Sequence, residues 1–129
     1  MTTYAANIEL IAGNYLAVWS EPDPERRRDA IAGLWARDGV EFVEGAQFRG
    51  PQALHARITE AYQAFVESGR YTVTSANDVS GHHDMVSFTI QLATKAGEIA
   101  WAARVFLVLD EDGRIREDYQ LTVKPLVTE

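Results

Sequence analysis

The hydrophobic period of the chain changes part-way along. In the first half apolar residues recur every three to four positions. Ile8, Ile11, Ala12, Tyr15, Val18 and Trp19 make one stripe, with Glu9 and Asn14 off it, and predict a first helix. "EPDPERRRDAIAGLWARDG" predicts a second, shorter helix, with Asp23 as N-cap, Pro24 at the first helical position, Ile31, Leu34 and Trp35 inward, and Gly39 as the stop. Val40 to Val43 reads as a short strand. "GAQFRG" then turns the chain into Pro51, which opens a third helix carrying Leu54, Ile58, Ala61, Tyr62 and Phe65 on one side, closed by Ser68-Gly69.

From Arg70 onward the period is two. Strands are predicted at about Tyr71 to Ala76, Asp84 to Leu92, Ile99 to Leu109 and Ile115 to Val123, with "KAGE" and "DEDG" as hairpin turns. Helices followed by hairpin-linked strands describe an α+β domain with an antiparallel sheet and helices on one face.

Closing each hairpin by its shortest turn sets an expected register. Phe88 then lies beside Val105 and Asp118, Ile90 beside Ala103 and Gln120, and Leu92 beside Trp101 and Thr122, all on one face. Asp84, Leu109 and Arg114 fall on that face too. The opposite face carries Met85, Ser87, Thr89, Gln91, Arg104, Phe106, Val108, Ile115, Glu117, Tyr119 and Leu121, with Glu117 and Arg104 as diagonal ion-pair partners. Because "IAWAARVFLVL" is apolar on both sides, a second buried surface is expected, a homodimer contact through the outer sheet face.

Composition narrows the function. The 129 residues suit one domain spanning 1–129, and 47% hydrophobic against 24% charged residues suits a real core. Cysteine is absent, which removes thiolate metal sites and cysteine nucleophiles. A formal net charge of −7 disfavours nucleic acid, and the Arg26-Arg27-Arg28 run reads as a solvated helix face. No basic leader and no run of bilayer length is seen, so a cytoplasmic chain without a membrane partner is expected.

The chemistry-bearing residues are few. Asp118 and Gln120 stand in an apolar wall made by Phe88, Ile90, Leu92, Val105, Ala103 and Trp101, the pattern of a ligand pocket in which burial lifts a carboxyl pKa towards acid–base use. The competing reading is a strand end where Asp118 reaches water or pairs with Arg116. In "SGHHDMVSFTIQL", His82 and Asp84 share a face and His83 points away, so the histidines do not serve one ion. His55 reads as a partly exposed packing residue. No G-x-S-x-G elbow and no glycine-rich phosphate loop follows a strand.

The stretches "NYLAVWSEPDPERRRDAIAGLWARDGVEFVEG", "FRGPQALHARI", "GHHDMVSF" and "LDEDGRIREDYQL", in that order, resemble the nuclear transport factor 2-like superfamily, which includes ketosteroid isomerase, scytalone dehydratase and SnoaL-like polyketide cyclases. The resemblance implies helices packed in the concave face of a curved antiparallel sheet, a cone-shaped α+β barrel. It implies that Tyr15 matches the helix-one tyrosine that binds an oxyanion in the isomerases. Their proton-shuttling aspartate falls on Val43, one position from Glu44, and their second oxyanion donor falls on Val105, so steroid-type isomerisation is disfavoured. Asp118 matches the acid–base region of the cyclases, with Gln120 in place of a second polar partner.

The expected activity is therefore cofactor-independent general acid–base catalysis, an isomerase, dehydratase or cyclase acting on a small apolar or polycyclic molecule. Asp118, Tyr15, His82 and Asp84 are its candidate catalytic residues. Trp101, Phe88, Ile90, Val105, Gln120, Trp19, Leu54 and Ile58 are its candidate ligand wall. The alternative is a non-catalytic binding or dimeric assembly module.

Overall fold

The computed structural model describes residues 4–126, with side chains from Asn7 onward. Helices α1 (Tyr4–Ser20) and α2 (Pro24–Leu34) lead into strands β1 (Trp35–Val43) and β2 (Ala46–Arg49). Helix α3 (Pro51–Ala61) follows and widens into a π-helical turn, Tyr62–Val66. Strands β3 (Thr72–Ser75), β4 (Ser80–His82), β5 (Met85–Ala93), β6 (Ile99–Leu109) and β7 (Ile115–Lys124) complete the chain. The strands form one curved, unclosed sheet in the order β2-β1-β7-β6-β5-β3, with β4 added beside β5.

One pairing departs from the antiparallel expectation. β1 runs parallel to β7, so the sheet is mixed. No hairpin joins these strands, and this contact brings Glu41 opposite Asp118. The second helix also ends sooner than its apolar stripe suggests: Trp35 is extended and opens β1, paired with Ile115. Gly39 lies within that strand, at the irregularity between Trp35 and Val40. A Cβ there would stand 2.7 Å from the Ile115 carbonyl oxygen, so the glycine admits a close backbone approach and does not stop a helix.

The register of β5 on β6 is as expected, with Phe88 opposite Val105, Ile90 opposite Ala103 and Leu92 opposite Trp101. That of β6 on β7 is shifted by two residues. Val105 pairs with Gln120, and Leu107 with Asp118. The ladder slips between Val108 and Leu109, where Ile115 and Glu117 are successive partners and Arg116 is the extra residue. A shift of two preserves the face, so Asp118 and Gln120 still point inward. The same bulge turns Ile115 into the core, against the expected outward position.

The core gathers Ile11, Tyr15, Val18, Trp19, Ile31, Trp35, Leu54, Ile58, Phe88, Val105 and Leu107 between the helices and the concave face. Arg27 is buried with it, 2% exposed, which corrects its reading as a solvated charge. Its guanidinium donates to the Glu21 carbonyl at 2.6 and 3.1 Å and to Thr59 Oγ1 at 2.9 Å, and lies over the Tyr62 ring. These bonds tie the α1–α2 corner to α3. On the outer face Arg104 pairs with Asp78 at 2.9 Å and not with Glu117, which accepts from the Tyr119 hydroxyl.

Candidate functional site

Asp118 and Gln120 on β7 meet Tyr15 on α1, although Tyr15 lies over a hundred residues before them in sequence. The Tyr15 hydroxyl donates to the Asp118 carboxylate, 2.9 and 3.1 Å from its two oxygens, and accepts from Gln120 Nε2 at 2.7 Å. Tyr15 is clamped by rings: Trp19, Trp35 and Phe88 lie within 6.0 Å, centroid to centroid. Asp118 neither reaches water nor pairs with Arg116, since it is wholly buried.

A second buried carboxylate stands beside the first. Glu41, opposite Asp118 across β1 and β7, accepts from Arg57 Nε at 3.0 Å, while its Oε2 has no hydrogen-bond partner among the described residues. Two buried carboxyls thus share the neighbourhood of one cation. Burial pushes the Asp118 pKa well above the ordinary carboxyl range, and the charge of Glu41 adds to the rise; the Tyr15 bond and Arg57 offset only part. Glu41 is raised by burial as well, with Arg57 working against it. Tyr15 is raised by burial and by both carboxylates, so its hydroxyl stays protonated as a donor.

In front of these groups lies a cavity of about 370 Å³. Trp19, Ile90, Leu92, Trp101, Val73, Ala61 and Val43 form its apolar wall, and the π-helical turn supplies Phe65 and Val66. Arg57, Gln120, Glu44 and Thr122 are its polar lining. The volume lies in the range of small-molecule sites.

The sequence-predicted residues divide accordingly. Trp19, Ile90, Trp101 and Gln120 line the cavity. Phe88, Val105, Leu54 and Ile58 are packed solidly in the core, at most 1% exposed, and are not among the lining residues. Tyr15 and Asp118 sit one layer behind the wall, with Gln120 between them and the open space.

His82 and Asp84 are not at the pocket. They are exposed, at the end of β5 remote from Ile90 and Leu92. His82 pairs with Met85, so His83 and Asp84 form a two-residue turn rather than the start of one long strand. His83 takes a left-handed φ of 56°, and its ring packs edge-on against His82 at 4.3 Å. Alternation along a strand therefore does not separate the two rings. Among the described residues no three His, Cys, Asp or Glu side chains cluster as a metal site. His55 is half-buried, its Nε2 3.1 Å from the Pro24 carbonyl oxygen.

Sequence reasoning missed Glu41 and Arg57. Faint signals exist: Glu41 interrupts the apolar run "VEFV", and Arg57 shares the α3 stripe of Leu54, Ile58 and Ala61.

Known structures share this architecture. A candidate isomerase of the SnoaL-like family from Agrobacterium tumefaciens is 28% identical and superposes with a TM-score of 0.82, covering 91% of this chain and 97% of that one. The shared fold is that of the nuclear transport factor 2-like superfamily. A candidate polyketide cyclase from Sinorhizobium meliloti is 19% identical, with a TM-score of 0.65 over 85% of this chain and 92% of that one. An NTF2-like protein of unknown function from Exiguobacterium is 14% identical, with a TM-score of 0.64 over 89% and 99%. No family model matches the chain, and no curated protein matches it in sequence. Val43 and Glu44 both line the cavity, and the Glu44 carboxylate accepts from Thr122 Oγ1 at 2.6 Å.

Proposed function

We propose that this chain is a cofactor-independent isomerase or cyclase that moves a proton on a small apolar substrate, with Asp118 as the proton-carrying group. The bonded series Gln120–Tyr15–Asp118 carries the reading, because it links the cavity wall to a carboxyl whose pKa is raised. Such a carboxyl exchanges its proton nearer neutral pH than an exposed one does. Tyr15 is placed to steady whichever charge state Asp118 adopts. Catalysis on this reading requires Gln120 to turn from Tyr15 when substrate binds, opening the path to Asp118. The SnoaL-like and cyclase neighbours support the reaction class by analogy of fold.

The complete burial of Asp118 and Tyr15 favours a second reading, a binding protein whose polar series only fixes the wall. Proton exchange separates the two. With tetralone as an apolar ketone probe in heavy water, the enzyme reading expects accelerated deuterium uptake beside the carbonyl, lost in Asp118→Asn while tetralone still binds. Tetralone bound without accelerated uptake favours the binding protein.

The reading extends to a second copy of the chain covering the outer sheet face. There Leu121 and Val123 are 57% and 62% exposed beside the stacked Phe42 and Tyr119 rings. Sedimentation is expected to give a dimer that Leu121→Lys dissociates. A wild-type monomer at micromolar concentration would reject this part of the proposal.

A further inference from the structure

Among the described residues Arg57 is the one cationic side chain on a cavity whose wall is mostly apolar. Its guanidinium is fixed from three directions. Nε donates to Glu41, the Trp19 ring lies 5.1 Å away on one side, and the Phe48 ring lies 5.6 Å away. A guanidinium carries five N–H donors, and Nε uses one. Among the described residues the two terminal nitrogens make no hydrogen bond, and the side chain keeps 20% exposure. A fork of donors held by one ion pair and two rings, on a residue that lines a cavity, is half of a recognition site.

We infer that the cavity binds an apolar, ring-sized molecule bearing a carboxylate, with the carboxylate held by the two terminal nitrogens of Arg57 and the rings against Trp101, Ile90 and Leu92. The inference rests on the small-molecule reading above and specifies its ligand class. Two coplanar donors match two coplanar oxygens, and such charge-assisted pairs are among the stronger hydrogen bonds. Glu41 is bound through Nε alone, so it neutralises the guanidinium without occupying the fork. Asp118 is held towards its neutral form by burial and does not add a second full negative charge behind the site. Glu44, the other carboxylate at the cavity, is exposed and engaged by Thr122. An amine would meet the Arg57 charge directly.

Calorimetric titration at neutral pH with naphthoate, naphthamide and naphthylmethylamine tests this on the wild-type protein. Naphthoate is expected to bind about tenfold or more tightly than the amide, and the amine most weakly. Arg57→Lys keeps a cation for Glu41 and should shrink the acid–amide ratio. Glu41→Gln/Arg57→Met removes both charges without stranding either and should bring the ratio close to one. Equal affinity for acid and amide in the wild type, no binding of any of the three, or a ratio surviving in the double variant overturns the inference. Asp118→Asn separates the two claims. It should keep the preference for naphthoate, and if it also keeps tetralone exchange, only the catalytic reading falls.

Discussion

Arg57–Glu41 and Arg104–Asp78 are the same kind of ion pair at nearly the same separation, 3.0 and 2.9 Å, on opposite faces of one sheet. Their carboxyls nevertheless shift in opposite directions. Glu41 is wholly buried and raised, because burial outweighs the Arg57 charge and bond. Asp78 is about a third exposed. The modest penalty of its burial is overcome by the Thr89 hydroxyl and backbone N–H, with Arg104 adding to them, and its pKa falls. Separation alone does not say what an ion pair does. What decides is how much water each carboxylate loses and how many donors replace it: among the described residues Glu41 keeps an oxygen without a partner, while both oxygens of Asp78 accept.

The widest gap between the pairs should come from removing the arginine. Arg57→Met leaves Glu41 buried and unpaired beside Asp118, and is expected to cost about 3–5 kcal/mol in urea denaturation. Glu41→Gln in the same chain should restore most of that, since a neutral, well-packed replacement of a buried pair is often close to neutral in stability. A loss under about 1 kcal/mol for Arg57→Met would place the pair with surface ones and remove the contrast.

Acidity gives the next largest difference. Asp118 has a raised folded-state pKa, so its contribution is fully present below the unfolded carboxyl value of about 3.9 and is lost as pH rises through the raised value. Glu41 has the same sign, blunted by Arg57. Asp78 has the opposite sign, present above its unfolded value and lost as pH falls through its lowered one. Melting temperatures followed upward from about pH 4 should therefore fall in the wild type and fall less steeply in Asp118→Asn. Parallel curves for the two proteins would show that Asp118 titrates like an exposed carboxyl.

The legible and illegible parts of the molecule divide along the same line. Alternation placed Asp118 and Gln120 on the inner face and Arg104 and Tyr119 on the outer one, because a face depends only on parity. It did not place their neighbours: the turn before Ile115 is one residue longer than expected and Arg116 adds a second, so β7 slides by two along β6 and Val105 faces Gln120. Glu41 beside Asp118 was out of reach, because β1 joins β7 in parallel with most of the chain between them, and without that contact the Glu41–Arg57 pair of β1 and α3 gives no sign of facing the site. The Arg104–Asp78 pair was missed for a smaller reason, since Asp78 lies in the connection between β3 and β4, outside the alternating segments. His82 and His83 misled because their two-residue turn lacks the Asn-Gly or Asp-Gly signature such turns usually carry, so an interrupted strand reads as a continuous one.

The smallest effect should be at the outer pair. Arg104→Gln removes a cation that shares Asp78 with Thr89, and Asp78 retains two donors and access to water, so the cost should be under about 1 kcal/mol. Salt sharpens the contrast. At about 1 M the Debye length is near 3 Å, and an exposed pair is largely screened whereas a buried one is not. The difference between Arg104→Gln and wild type should vanish there, while that between Arg57→Met and wild type persists. If the Arg104 effect is as salt-resistant as the Arg57 effect, Thr89, Asp78 and Arg104 act as a desolvated cluster. The outer face would then be closed off from water in solution, as a second copy of the chain seated on it would require.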